Sequence, residues 1–267
     1  DIEHSAIKES AAWLETQGFE VDYAPVDARG FVKVDALASL LRPDTTLVSI
    51  MAVNNEIGSI QPIHDIVALL EDRPTVSFHV DAVQALAKVA TEVYLPERVD
   101  FATFSSHKFH GLRGVGFVYI KEGKKITPLL TGGGQEKEMR STTENVAGIA
   151  ATAKALRLAM ENQEAFASKT QQMKEVIRKE LANYPDVTIF SGEDHFAPHI
   201  LTFGIKGVRG EVVVHAFEEF DIYISTTSAC SSKAGKPAGT LIAMGVEKDK
   251  ARSAVRLSLD LENDMSQ

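Results

Sequence analysis

The sequence predicts an α/β fold with a parallel-rich sheet in a large domain, followed by a smaller α+β domain. In the first two-thirds of the 267 residues, short β-rich runs alternate with amphipathic helical stretches, as parallel sheets require. Near Thr143 the pattern changes to a long helical stretch that ends at Pro185. Strands and helices then follow without regular alternation. We therefore expect a large domain over residues 1–160 and a small domain over residues 161–267.

The individual elements follow from hydrophobic periodicity and turn residues. The β-rich runs of the large domain lie at residues 46–51, 75–80, 99–104 and 116–120. Helical stretches at residues 34–41 and 63–70 precede the first two runs. In the small domain we expect strands at residues 187–190, 200–205, 222–225 and 252–259, and a helix at residues 210–220.

Composition narrows the classes of function. With 28 basic and 37 acidic residues the formal net charge is −9, which opposes binding to nucleic acid or to an anionic membrane. The sequence has no apolar run of about 18 residues and does not begin like a secretory signal, so we expect a cytoplasmic protein. The single cysteine, Cys230, excludes intrachain disulfides and metal sites built from several thiolates, and we predict no metal site. The start at Asp1, followed at once by a helical pattern, leads us to expect a fragment.

Polar side chains follow three of the β-rich runs, where open α/β sheets bind ligands. They are Asn55, Asp81, Gln84, Ser105, His107 and Lys108. Pyridoxal phosphate requires a lysine for its aldehyde, a carboxylate for its pyridine nitrogen, and hydroxyl or imidazole groups for its phosphate. Taken alone, a lysine is more commonly a solvated surface residue, and an aspartate or asparagine at a strand end is more commonly a turn residue. Their occurrence at consecutive strand exits favours a site for this cofactor.

A series of short motifs makes the comparison with a known family specific. In chain order they read EHSAI, NNEIG, HVDAVQ, SSHKFHG, GGGQE, TTENVAGIAA, SACSS and VRLSL. From His4 to Leu259 this series resembles the cysteine desulfurases, which are class V aminotransferase-like enzymes of the fold-type I pyridoxal phosphate group. The resemblance implies a fold-type I large domain, a smaller C-terminal domain and a homodimer. It also implies conversion of L-cysteine to L-alanine, with the sulfur transferred as a persulfide on an enzyme cysteine.

The resemblance assigns cofactor roles to the strand-exit residues. Lys108 matches the lysine that bonds the cofactor aldehyde, and Asp81 matches the carboxylate that keeps the pyridine nitrogen protonated. Gln84 and Asn55 match amides that contact the cofactor's phenolic oxygen and the bound substrate. His4 matches the catalytic imidazole stacked on the cofactor ring.

Further roles concern the phosphate and the substrate. Ser105 and His107 match phosphate ligands, and Thr143 matches a residue that reaches the phosphate of the neighbouring subunit. Arg256 matches the arginine that binds the substrate carboxylate, a task that suits its two-pronged guanidinium. From the residues alone, a salt bridge at the rim of the protein explains Arg256 equally well.

Cys230 lies among small polar residues. A single cysteine commonly packs as a small hydrophobe, but these neighbours predict an exposed loop. Lys233 and Lys236 favour the thiolate that nucleophilic attack requires. The resemblance implies that this cysteine attacks the sulfur of the cysteine–cofactor adduct and passes the persulfide to an acceptor protein.

The sequence also departs from the family pattern. A glycine- and threonine-containing loop that holds the cofactor phosphate precedes the position of His4 in the family, but not here, so we expect weak binding of the cofactor. Thr142 stands where relatives often have glycine, and Asp260-Leu261 where many have glycine-arginine. The open alternatives are a catalytically weak or inactive fragment that serves as a dimer or scaffold module, a selenocysteine lyase and an aminotransferase. The acceptor is open among an iron–sulfur scaffold, a tRNA-thiolation enzyme and a thiamine pathway.

Overall fold

The computed structural model describes residues 1–227 and 239–264, and within these residues it contains two four-stranded sheets. The strands of the first sheet, in spatial order, are β1 (Leu47–Met51), β2 (Ser77–Asp81), β3 (Phe101–Ser105) and β4 (Gly116–Ile120). The strands β1, β2 and β3 are parallel, whereas β4 runs antiparallel to β3. Only residues 106–115 separate β3 from β4, and a parallel crossover needs a dozen or more residues. The sheet is therefore parallel-rich with one antiparallel edge strand.

Helices precede and follow these strands in the chain, and the core beside the sheet is mainly apolar. They are α1 (Ser5–Thr16), α2 (Val34–Leu40), α3 (Ile63–Leu69), α4 (Thr91–Tyr94) and α5 (Val146–Glu161). Phe78 and Val80 of β2 and Ile66 of α3 are completely buried in one hydrophobic cluster. This packing fixes the strand ends that carry the polar residues.

The helical stretch expected to run unbroken to Pro185 consists of two helices. After α5, the helix α6 (Gln163–Leu181) begins, and Asn162 between them has φ −106° and ψ 6°. The Asn162 side-chain amide donates to the carbonyl of Leu158 at 2.8 Å. Asparagine side chains compete in this way with the backbone hydrogen bonds of a helix. The domain boundary expected at residue 160 falls beside this break, and it stays a prediction.

The second sheet has the spatial order β5-β6-β8-β7 and is antiparallel throughout. Its strands are β5 (Val187–Ile189), β6 (Ile200–Ile205), β7 (Ser225–Thr226) and β8 (Ala254–Ser258). The helices after α6 are α7 (Gly210–Glu218), α8 (Gly239–Ala243) and α9 (Lys248–Arg252). The strand expected at residues 222–225 begins later, at Ser225. Of the helices in the described ranges, none has the length and apolarity to cross a membrane.

A buried carboxylate joins the first sheet to the segment after β4. The side chain of Asp100 is 3% exposed, and it accepts hydrogen bonds from the Phe78 amide at 2.8 Å and from Arg98 at 2.9 Å. Lys124 lies 3.2 Å from its second oxygen. Burial alone would raise the pKa of Asp100, but the amide and the two cations outweigh it, so the pKa lies below its usual value.

We expect Asp100→Ala to lower the free energy of unfolding by about 3–5 kcal/mol, because Arg98 and Lys124 lose their anionic partner. Urea unfolding measures this loss. As a control, Asp44→Ala removes a largely exposed partner of Arg42 and should cost less than about 1 kcal/mol. Because the depressed pKa stabilises the fold only while Asp100 is ionised, the difference from the unmodified chain should shrink below about pH 4. Equal losses in the two variants would contradict this account.

Candidate active site

The ends of β2 and β3 bring a carboxylate and a lysine to one edge of the first sheet. Asp81 is the last residue of β2, and Lys108 lies in the 3-10 turn Ser106–Phe109 that directly follows β3. Because β2 and β3 are parallel, these two positions share an edge. His4 and Lys108 both interact electrostatically with the Asp81 carboxylate and oppose a rise in its pKa. The strand-exit residues therefore form a charged cluster.

Asp81 lies in a largely buried setting. It is 8% exposed, and its Oδ1 accepts a hydrogen bond from the Val83 amide at 3.1 Å. Burial raises the pKa of Asp81, while the Val83 amide and the charges of His4 and Lys108 oppose the rise. Gln84, three residues on, is also buried. A buried carboxylate with cationic neighbours is suited to hold a protonated ring nitrogen.

His4 caps α1 beside this carboxylate. Its Nδ1 accepts a hydrogen bond from the Ala6 amide at 3.2 Å, so the ring proton of a neutral His4 resides on Nε2. The preceding residue, Glu3, accepts a hydrogen bond from the Met51 amide at the end of β1 at 2.7 Å. Its second oxygen is buried and has no hydrogen-bond partner within the described part of the chain. Burial raises the pKa of Glu3 to about 7. The hydrogen bond from the Met51 amide opposes this rise, whereas the negative charge of Asp81 adds to it.

The loop after β1 contains Asn54, a residue that the sequence did not single out and that connects this loop to the start of the chain and to α8. Asn54 is completely buried, and its Oδ1 accepts from the amides of Glu56 and Ile57 at 2.9 Å each. Its Nδ2 donates to the Ile2 carbonyl at 3.2 Å and to Thr240 Oγ1 at 3.1 Å. One side chain thus links the β1 exit to the segment before His4 and to α8.

Asn55 and Arg256, both expected at the site, lie in contact. Arg256 of β8 donates from Nη1 to the Asn55 carbonyl at 2.7 Å. Its Nε lies 3.2 Å from Ser258 Oγ. This contact brings a guanidinium from the second sheet to the polar loop that follows β1.

The residues expected to bind the phosphate differ in their surroundings. Ser105 is the last residue of β3 and is partly buried, whereas His107 is exposed. Desolvation, followed by the charges of Lys108, Arg113 and Lys88, lowers the pKa of His107, which favours a neutral ring. Thr143 is exposed on the segment before α5, and its contact with a neighbouring subunit stays a prediction. Cys230 and its neighbours Lys233 and Lys236 lie outside the described residues.

The donor set fits pyridoxal phosphate. The buried carboxylate of Asp81, the amine of Lys108 and the imidazole of His4 lie at one edge of the sheet. Gln84 lies on the turn after β2, and Ser105 is at the end of β3. These residues would hold the ring nitrogen, the aldehyde, the ring face, the phenolic oxygen and the phosphate. Within the described ranges, no group of three or more histidine, cysteine or acidic side chains is placed to hold a metal ion.

Comparisons with known proteins agree on one group. The family model described as aminotransferase class-V matches residues 1–267. A NifS/IcsS protein homolog of Lactobacillus delbrueckii subsp. bulgaricus is 51% identical over 267 residues, which is the whole of this chain and 69% of that protein. The cysteine desulfurase IscS of Clostridium botulinum is 40% identical over 265 residues, which is 98% of this chain and 66% of that protein.

A solved structure described as a NifS-like protein superposes with a TM-score of 0.88 at 37% identity. The match covers 98% of this chain and 69% of that structure. This likeness confirms the predicted mixed α/β fold with a parallel-rich sheet. The chain spans about two-thirds of the length of the relatives it matches, namely 69% of the first protein and 66% of the second.

Proposed function

Because the chain belongs to the class-V aminotransferase family, and within it to the pyridoxal phosphate-dependent cysteine desulfurases, we propose that it removes sulfur from L-cysteine. The products are L-alanine and a persulfide on Cys230. The observation that carries this proposal is the cluster at the sheet edge, in which Lys108 and His4 both act on the buried Asp81. Arg256 of β8 contacts the Asn55 carbonyl in the loop that follows β1.

Each side chain has a distinct task in this reaction. Lys108 would hold the cofactor aldehyde, and its free amine would carry the proton to and from the substrate Cα. When bound, pyridoxal phosphate supplies the electron sink for the charge that develops at Cα. Asp81 would keep the proton on the ring nitrogen, and His4 would orient the ring and shield it from water.

Arg256 and Cys230 act on the substrate itself. The guanidinium of Arg256 binds the α-carboxylate in two-pronged fashion and so orients the Cα–H bond. The Cys230 thiolate attacks the substrate sulfur, the carbon–sulfur bond breaks, and the carbon skeleton takes up protons to leave as alanine. Atoms balance, since L-cysteine and one thiol give L-alanine and one persulfide.

We further propose the oligomeric state of the enzyme, its location and the class of its sulfur acceptor. The enzyme is a cytoplasmic homodimer in which Thr143 reaches the phosphate site of the neighbouring subunit. The persulfide passes to an acceptor protein, either an iron–sulfur scaffold or a tRNA-thiolation enzyme. The name IscS among the relatives supports a sulfur-delivery role, whereas the dimer and the particular acceptors are supported by the family resemblance alone.

Product analysis tests the proposed function. The chain is incubated with pyridoxal phosphate and L-cysteine, and alanine, protein persulfide and the visible absorbance of the bound cofactor are measured. We expect alanine and persulfide in equal amounts during the first turnover. Cofactor absorbance without alanine would indicate a different reaction, such as transamination. Absence of both signals would indicate a non-catalytic module.

A further inference from the structure

One peptide group in the loop after β1 is held at both ends by side chains. This group joins Asn55 to Glu56. Its N–H donates to Oδ1 of Asn54 at 2.9 Å, and its carbonyl, which belongs to Asn55, accepts from Nη1 of Arg256 at 2.7 Å. A trans peptide is planar and its N–H and C=O point in opposite directions, so fixing one end also fixes the other. Asn54 is therefore connected to Arg256 through a single rigid group.

The side chain of Asn54 is itself firmly held. It is completely buried, and its Oδ1 accepts a second hydrogen bond from the Ile57 amide at 2.9 Å. Its Nδ2 donates to the Ile2 carbonyl at 3.2 Å and to Thr240 Oγ1 at 3.1 Å. Asparagine commonly stabilises turns through its side-chain oxygen. What distinguishes Asn54 from an ordinary turn residue is the guanidinium on the far side of the peptide group that it holds.

The orientation of the Arg256 guanidinium depends on this peptide group. A guanidinium binds a carboxylate in two-pronged fashion only when its plane faces the carboxylate. The Asn55 carbonyl holds Nη1, and Nε lies 3.2 Å from Ser258 Oγ. The charge of Glu56 also interacts with Arg256, but Oε2 of Glu56 accepts the Thr240 amide at 3.2 Å. A charge–charge attraction alone sets no plane, whereas the carbonyl contact does.

We propose that Asn54 is a positioning residue for the substrate carboxylate, because through the peptide group between Asn55 and Glu56 it holds the Arg256 guanidinium in the orientation that binds a carboxylate. Without the Oδ1 acceptor this peptide group can rotate, and the guanidinium must be ordered again when the substrate binds. The inference rests on the proposed function for the assignment of Arg256 to the substrate carboxylate. The orientation of Arg256 by Asn54 is a property of the chain without cofactor and can be measured by itself.

Three variants separate this role from a general loss of packing. Asn54→Ala removes the acceptor, whereas Asn54→Ser keeps a shorter one that can bond the Glu56 amide more weakly. The matched control is Ser191→Ala. Ser191 is also buried, and its Oγ donates to the Ile57 carbonyl at 2.7 Å. The control thus removes a buried hydrogen bond to the same loop without touching the peptide group that holds Arg256.

NMR of the chain without cofactor, labelled with ¹⁵N-arginine, measures the rate of rotation about the Cζ–Nη1 bond of Arg256. The signal is identified by its loss in Arg256→Lys. We expect Asn54→Ala to raise this rate by roughly twofold to tenfold, as the loss of one hydrogen bond implies. Asn54→Ser should raise it less, and Ser191→Ala should leave it unchanged.

Two outcomes of the NMR experiment would overturn the proposal. They are an unchanged rate in Asn54→Ala, and equal increases in Asn54→Ala and Ser191→Ala. If circular dichroism shows that Asn54→Ala is unfolded, Asn54→Ser decides, and its rate must then exceed that of Ser191→Ala.

Kinetics with pyridoxal phosphate test the role in substrate binding. Persulfide formation is measured with L-cysteine and with L-cysteine methyl ester, which lacks the carboxylate charge. Relative to the unmodified chain, Asn54→Ala should lower kcat/KM for L-cysteine by roughly twofold to tenfold more than for the ester. Ser191→Ala should affect both substrates equally. Equal losses for the two substrates in Asn54→Ala would mark Asn54 as merely structural, even if the rotation rate rises.

The outcome is separable from that of the proposed function. If the unmodified chain forms no persulfide from either substrate, the proposed function fails, and the rotation rate still decides whether Asn54 orients Arg256. If the unmodified chain is active and Asn54→Ala changes neither the rotation rate nor the preference for L-cysteine, only the role of Asn54 fails.

Discussion

Lys108→Ala is expected to abolish the borohydride-fixed bond to pyridoxal phosphate and to lower alanine formation from L-cysteine by roughly 10³-fold or more. The loss is large because one amine both bonds the aldehyde and moves the Cα proton. No other lysine directly follows β3 at the edge that Asp81 shares. Peptide mapping after borohydride reduction locates the label, and a coupled assay measures alanine.

The control for this variant is Lys125→Ala, which removes an exposed lysine that follows β4. Lys125→Ala should keep the borohydride-fixed label on Lys108 and the formation of alanine from L-cysteine. A label on another lysine in the unmodified chain would contradict the assignment of Lys108.

The polar residues at the strand ends could be predicted because they depend on local sequence patterns. Apolar runs ending in polar residues mark the edge of a parallel sheet, and the structure places Asp81 at the end of β2 and Lys108 just after β3. The direction of β4 could not be predicted, because periodicity identifies a strand without giving its direction. The break at Asn162 was missed because apolar periodicity continues across it, whereas the side-chain hydrogen bond to Leu158 decides it.

The residues that support the site could not be predicted from the sequence. Glu3 is significant because folding buries it between Met51 and Asp81, and Asn54 because it binds segments from both ends of the chain. None of these contacts leaves a periodic signal. The string Asn54-Asn55-Glu56 was the single hint, and it directed attention to Asn55.

Cys230→Ser is expected to abolish persulfide formation while leaving cofactor binding intact. A serine hydroxyl is not ionised at neutral pH and cannot form a sulfur–sulfur bond, so the step that takes the sulfur from the substrate has no acceptor. The residues proposed to bind the cofactor belong to the first sheet and its exits, whereas Cys230 follows β7 in the chain. Visible absorbance with pyridoxal phosphate and a persulfide-specific label measure the two properties separately.

Two further variants sharpen this test. Ser232→Ala, two residues from the cysteine, should retain both properties and controls for any change in the surrounding segment. Lys233→Met and Lys236→Met together should slow persulfide formation at pH 7 more than at pH 9, because a nearby positive charge matters most where the thiol is largely protonated. If Cys230→Ser instead loses the cofactor absorbance, the cysteine is structural. If it still transfers sulfur, the sulfur passes to another acceptor and the proposed mechanism is wrong.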